Sequence, residues 1–306
     1  MNNNIKLYGI PNIGNTCYIN SCLQALKHIP VLMYELIYPR DKVKILLIFR
    51  KFFKDLITEG INSRYMFSFY NILSNHINID RLGVQGDSSE VFLGIISTMC
   101  DKSETLEKIF KNKINSEIKC KNCNHISKTS QNSHCLNLNI PTNVDSINLN
   151  DLINMYQKYD ILDNNNKYKC ESCNKLSNAS KKMTIVKTAN VLIINLNRHK
   201  FDRKSKKNTI PITFKKKMSI FNKNYNLINI IEHTSGGENS NSGHYINKSL
   251  NLFDDQWYFY SDSHVSKTVV KDIEISKNNY VLVYVSDKIN NITYNKIRKP
   301  LMKLCY

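Results

Sequence analysis

Apolar positions recur at helical spacing early in the chain and give way to strand-like runs later. Between residues 16 and 29, Ile19, Leu23 and Leu26 fall on one helical face; Thr16 stands where it can cap the first turn, and Pro30 ends the segment. A second helical zone is expected from about 41 to 58. A third follows Ser88 and Ser89, where Glu90-Val91-Phe92-Leu93-Gly94-Ile95-Ile96 turns an apolar side toward the first helix. The first ~110 residues therefore read as mainly α. From about 113 to 187 the texture is short and alternating, as in His134 to Ile140, with a Cys-x-x-Cys turn toward each end, which predicts a β-rich insertion. Beyond it the runs are longer and more apolar. Val191 to Ile194, Tyr225 to Ile231, Gly243 to Leu250, Trp257 to Tyr260 and Tyr280 to Val285 predict the strands of a β core. The polar stretches Asp163 to Asn166 and Asn239 to Ser242 read as loops.

Composition agrees with a folded protein of one large or two ordinary domains: 306 residues, 42% hydrophobic. The start, Met1-Asn2-Asn3-Asn4, lacks the apolar core of an export signal, and Val43 to Phe53 is broken by Lys44, Arg50 and Lys51. We therefore expect an intracellular protein, in cytoplasm or nucleus, with no transmembrane segment. The net charge of +18 attracts polyanions in general. However, the chain also holds 43 Asn among many Ile and Lys, a skew that AT-rich coding produces without any partner. Arg198, Lys200, Arg203, Lys204, Lys206 and Lys207, then Lys215, Lys216 and Lys217, read as solvated basic loops. Only Phe201 and Phe214 accompany them, too few aromatics for a stacking platform, so nucleic acid is not the expected partner.

Nine cysteines, an odd number, point to thiol chemistry or metal in a reducing compartment and not to a disulfide framework. In Gly9-Ile10-Pro11-Asn12-Ile13-Gly14-Asn15-Thr16-Cys17, a Gly/Asn turn delivers Cys17 to a helix start, where the dipole favours thiolate. Cys22, further along that helix, reads as core. A thiol nucleophile needs an imidazole base, and His244 in Gly243-His244-Tyr245 is the candidate, because it opens an apolar strand behind the loop containing Ser235-Gly236-Gly237. Separately, Cys120-x-x-Cys123 and Cys170-x-x-Cys173 form two knuckles, the arrangement that gives four thiolates to one structural, tetrahedral zinc per chain.

The Cys17 segment resembles the cysteine box of the ubiquitin-specific proteases, and Gly243-His244-Tyr245 with Trp257 to Val265 is similar to their histidine box. Gln85-Gly86-Asp87-Ser88-Ser89-Glu90-Val91-Phe92-Leu93 resembles the box between them. The likeness runs over about residues 8 to 285 and leaves a short basic tail. It implies an α+β, papain-like fold arranged as thumb (1–112), fingers (113–188, with the zinc) and palm (189–306). It also implies a monomeric deubiquitinase that binds ubiquitin and ubiquitinated proteins, and cuts the isopeptide or peptide bond after ubiquitin's C-terminal glycine. Cys17 would be the nucleophile, His244 the general base and Asn12 an oxyanion-hole donor. Gln85, Asp87 and Glu90 would hold ubiquitin's arginine-bearing tail, and Tyr245 would line a narrow channel for Gly-Gly. One position departs from the pattern Trp-x-x-Phe-Asp/Asn-Asp: the residue that should orient the histidine is Ser261, followed by Asp262. Some relatives carry Ser there, so we expect Ser261, Asp262 or both to orient His244. A protease for another ubiquitin-like modifier and a catalytically weak ubiquitin-binding module are the competing readings.

Overall fold

The computed structural model describes residues 6–38, 43–198, 207–234, 243–251 and 253–289. Six helices come first: α1 (Cys17–Lys27), α2 (Pro30–Ile37), α3 (Lys44–Thr58), α4 (Ser63–Ser74), α5 (Ser88–Cys100) and α6 (Glu104–Phe110). Strands β1 (Asn112–Cys120), β2 (Ile126–Ser133), β3 (Leu136–Asn139) and β4 (Ile147–Asn148) lead to α7 (Leu149–Tyr156). Next are β5 (Tyr159–Leu162), β6 (Tyr168–Lys169), β7 (Leu176–Ser177) and β8 (Ala179–Lys187). The last stretch holds β9 (Val191–Asn197), β10 (Ile212–Lys215), β11 (Lys217–Ile220), β12 (Lys223–Thr234) and β13 (His244–Leu250). It ends with β14 (Trp257–Ser261), β15 (His264–Thr268), β16 (Ile273–Ser276) and β17 (Asn279–Ser286).

The main sheet runs β15-β14-β13-β12-β17-β9-β3, with β11 paired to β12. Both of its faces are covered, which is why its central strands are apolar throughout instead of alternating. Along β17, Val281, Val283 and Val285 pack into the helical lobe while Leu282 and Tyr284 face the opposite core; in β9, Val191 and Ile193 oppose Leu192, Ile194 and Leu196 in the same way. Helix α1 lies between α5 and strand β13 and is buried along its whole length. Cys22 sits in that core, its thiol donating to the carbonyls of Tyr18 and Ser88.

Three differences from the sequence reading have simple causes. Pro30 does not only end α1; it is the first residue of α2, where its missing N–H costs nothing. Thr16 precedes α1 without capping it through its side chain, because its hydroxyl accepts from Ile13 N–H instead. Two members of the basic run are structural: Arg198, 0% exposed, donates to the carbonyls of Asn279, Asn208, Ile210 and Ser276, and the Lys207 ammonium donates to the His233 carbonyl. Lys200, Arg203, Lys204 and Lys206, the Ser235–Ser242 loop and residues 290–306 lie outside the described residues.

Within the insertion, β2-β1-β8-β5 form a four-stranded sheet and β6-β7 a small hairpin, whereas β3 pairs in parallel with β9 of the main sheet and β4 with β10. Among the described residues no helix is long and apolar enough to cross a membrane.

Candidate active site

Cys17 is the first residue of α1, and the loop before it is held by Asn12. The Asn12 side-chain oxygen accepts from Gly14 N–H (3.0 Å), Thr16 N–H (3.1 Å) and the Thr16 hydroxyl (3.4 Å). With its oxygen so committed, the amide is fixed in orientation, and its NH2 group faces Asp262, donating at 2.9 Å to Oδ2. Gly14 (φ +126°) and Asn15 (φ +53°) supply the left-handed turn that brings the chain round to the helix.

The β14–β15 hairpin arrives from the other side. Ser261 pairs with His264, leaving Asp262 and Ser263 as a two-residue turn, with Asp262 at φ +51°. This turn seats directly on Gly9: a Cβ there would lie 2.3 Å from the Asp262 carbonyl oxygen and 2.5 Å from that of Ser263. The same carbonyl of Asp262 accepts from Ile10 N–H, and Oδ1 accepts from Asn20 Nδ2 at 2.7 Å. Asp262 thus ties the loop before Cys17, helix α1 and the hairpin together.

His244 opens β13. Its Nε2 lies 2.8 Å from Ser261 Oγ and 3.9 Å from Asp262 Oδ2, so Ser261 makes the hydrogen bond and Asp262 stands next to it as a partly shielded charge. Gly243 allows the strand to start here, since a Cβ would come 2.4 Å from His233 Nε2. Gln85 closes the set: its amide donates to the Gly243 carbonyl (2.9 Å) and reaches Cys17 Sγ (3.5 Å). The structure therefore brings Asn12, Cys17, Gln85, His244, Ser261 and Asp262 to one place.

The other three sequence candidates sit differently. Asp87 is the N-cap of α5, accepting from Ser89 N–H and hydroxyl, each at 2.6 Å. Glu90 lies exposed in that helix's first turn. Tyr245 departs from the expectation of a channel wall: its ring is only 3% exposed and packs against His233 (4.4 Å) and Tyr280 (5.8 Å) because residues alternate along β13 and this one faces the core. What Tyr245 offers Cys17 is its backbone N–H. Asn20 escaped the sequence reading, although an Asn three residues after Cys17 in an otherwise apolar helix was a usable sign; it is 2% exposed.

The Cys17 thiol also corrects an expectation. Burial pushes it above its ordinary value and the Asp262 carboxylate adds to this, outweighing the Tyr245 and Tyr18 backbone N–H groups and the Gln85 amide. A helix start by itself does not deliver a thiolate when the cysteine is buried, here 3% exposed. Since the shift is upward, Cys17 holds less thiolate at neutral pH than a free cysteine. We expect alkylation of Cys17 by iodoacetamide to climb steadily between about pH 7 and pH 9. A rate already flat through neutrality would contradict this.

At the far end of the insertion, the sulfurs of Cys120, Cys123, Cys170 and Cys173 all lie within 4.8 Å of one another, Cys123 to Cys170 at 3.6 Å. Tetrahedral zinc with Zn–S near 2.3 Å separates its sulfurs by about 3.8 Å, so the four fit such an ion. Asn124 (φ +60°) and Asn174 (φ +53°) give the two knuckles the same left-handed turn, and Lys121 N–H donating to the Asn178 carbonyl joins them. Lys175 N–H and the Asn122 amide both reach the Cys173 sulfur and stabilise its thiolate.

Residues 8–284 match the family model described as ubiquitin carboxyl-terminal hydrolase. The chain belongs to this family. Ubiquitin carboxyl-terminal hydrolase 25 of Arabidopsis thaliana is 29% identical over 324 residues, covering 90% of this chain and 47% of that protein. Ubiquitin carboxyl-terminal hydrolase 36 of Drosophila virilis is 26% identical, over 92% of this chain and 26% of its own length. The chain thus spans less than half the length of these relatives. Among solved structures, the yeast SAGA DUB module aligns with TM-score 0.72 at 22% identity, covering 92% of this chain and 68% of the other. A SAGA Ubp8/Sgf11/Sus1/Sgf73 DUB module bound to ubiquitin aldehyde gives 0.70 at 23%, over 92% and 69%. The α+β ubiquitin-specific protease fold expected from the sequence is the fold observed.

Proposed function

We propose that this ubiquitin carboxyl-terminal hydrolase family member is a cysteine-type deubiquitinase that cleaves after the C-terminal glycine of ubiquitin. The observation that carries this reading is the convergence of Cys17, His244, Ser261 and the Asn12–Asp262 pair from elements 250 residues apart in the chain. Cys17 Sγ attacks the glycine carbonyl carbon while His244 takes the thiol proton. Since Nε2 is bonded to Ser261, Nδ1 is the nitrogen left for that proton. The carbonyl oxygen becomes an oxyanion, stabilised by the Asn12 NH2 group and backbone N–H near Cys17, each worth ~3 kcal/mol. His244 then protonates the departing amine, a thioester to Cys17 forms, and water activated by the same imidazole releases ubiquitin. Gln85, Asp87 and Glu90 line the approach of the tail, Glu90 offering a carboxylate to its arginines. In this reading residues 1–112 serve as thumb, 113–188 as fingers and 189–306 as palm, acting as a monomer inside the cell. The test is release of fluorophore from an amide on ubiquitin's C-terminus; no release, with the corresponding conjugate of another ubiquitin-like modifier cleaved instead, would transfer the activity to that modifier.

Cys120, Cys123, Cys170 and Cys173 would hold one structural zinc, with every coordination position filled by sulfur and the role confined to folding the finger tip. Chelation is expected to weaken ubiquitin binding severalfold while leaving the rate of Cys17 alkylation unchanged. Isothermal titration with ubiquitin and alkylation kinetics, before and after chelation, check both halves. Equal loss of alkylation would contradict a purely structural ion.

A further inference from the structure

A second set of metal donors lies where the helical lobe meets the base of the finger strands. Cys100 Sγ, a Glu107 carboxylate oxygen and a His134 ring nitrogen all lie within 4.8 Å of one another. They come from three different segments: the last residue of α5, the middle of α6, and the connection between β2 and β3. Cys100 is buried, and the other two are half-buried. Glu107 Oε2 sits 2.6 Å from His134 Nε2, while Oε1 lies 3.5 Å from the Lys111 ammonium. One carboxylate oxygen is thus held by a neighbouring cation and the other by the imidazole.

The geometry points to a second zinc site formed by Cys100, Glu107 and His134, with the fourth position open to water. One thiolate, one imidazole and one carboxylate are the ligand types that zinc takes in mixed sites. At Zn–N and Zn–O distances near 2.1 Å, tetrahedral ligands stand about 3.4 Å apart, so the ion would enter by parting Glu107 and His134 by under an ångström or so from their 2.6 Å contact. Binding releases the Cys100 thiol proton to solvent, and no oxidant or reductant is involved. Lys111 acts from behind the ligands, fixing the carboxylate as outer partners of metal sites do. The ion would join α5 and α6 to the strand connection at the root of the fingers. There Asn112 already donates to the Ser133 carbonyl, and Asn190 N–H to that of Ile109. The sequence expectation of one zinc per chain counted only the paired knuckles, because these three ligands are separated by seven and 27 residues and form no motif.

The full chain, purified without chelator, is measured by native mass spectrometry. The site predicts two zinc ions in the wild type, one after Cys100→Ser or His134→Ala, and one after serine replaces all four knuckle cysteines. Loading that four-serine chain with cobalt should give a near-ultraviolet thiolate-to-cobalt band that a further Cys100→Ser removes. If the four-serine chain fails to fold, the drop from two ions to one in Cys100→Ser carries the test by itself. A single zinc in the wild type that Cys100→Ser leaves in place, or a folded four-serine chain that binds neither metal, would overturn the site and reduce the trio to an ordinary His–Glu ion pair beside a thiol. Failure of the knuckle site has a different signature, a Cys100→Ser chain devoid of metal.

Discussion

Cys17→Ala lowers the single-turnover rate on a ubiquitin C-terminal fluorogenic amide by roughly 10⁴-fold or more, while ubiquitin still binds. The size follows from what surrounds the sulfur. It stands at the start of α1, the Gln85 amide reaches it, and the backbone N–H groups of Tyr18 and Tyr245 aim at it. Among the described residues no neighbouring thiol is placed to take over: Cys22 is committed to the Tyr18 and Ser88 carbonyls and Cys100 is buried at the far end of α5. Binding survives because Cys17, only 3% exposed, presents little surface to a partner, so the loss falls on the chemical step. Rapid-quench kinetics with enzyme in excess separate the two, and a Cys17→Ala rate within tenfold of wild type would mean that the nucleophile lies elsewhere.

The pair Ser261 and Asp262 carries the second large effect. Ser261 makes the direct bond to His244, yet Asp262 holds more: the Asn12 amide, the Asn20 amide and a carboxylate 3.9 Å from the imidazole. Asp262→Ala removes all three at once, loosens the Asn12 amide that we propose as the oxyanion donor, and is expected to cost about 10²- to 10³-fold in single-turnover rate. Ser261→Ala removes one neutral hydrogen bond and should cost about tenfold, in the range of an outer-shell partner. Ser261→Asp, which supplies one of the two residues of the Asp/Asn pattern that this position resembles, should match or exceed wild type. An Asp262→Ala enzyme at full rate, or one less damaged than Ser261→Ala, would assign the orienting role to the serine alone.

What was readable in the sequence depended on how local the cause was. Helix α1 and strands β9, β12 and β17 were visible because burial writes an apolar period directly into a short window. Helices α4 and α6 were missed although the signs were local: Met66, Phe69, Tyr70 and Leu73 recur at helical spacing in α4, and Asn62 and Ser103 are common N-cap residues, but α6 spans only seven residues. At the site, Cys17 and His244 were marked by the turns that precede them. The Asp262 tether was not, since its partners Ile10, Asn12 and Asn20 lie some 240 to 250 residues away and only the seating of a hairpin turn on Gly9 brings them together. The state of the thiol was misjudged for a related reason. The helix start is local and visible, whereas the burial that outweighs it comes from strands and loops far along the chain.

The most direct measurement is incubation of the protein with ubiquitin bearing a thiol-reactive warhead at its C-terminus, beside the same warhead on other ubiquitin-like proteins, followed by peptide mapping of the adduct. The account predicts one ubiquitin per chain, attached at Cys17 and formed faster than with any other modifier. An adduct on a different cysteine, or a chain that ignores the ubiquitin probe and captures another modifier, would contradict it.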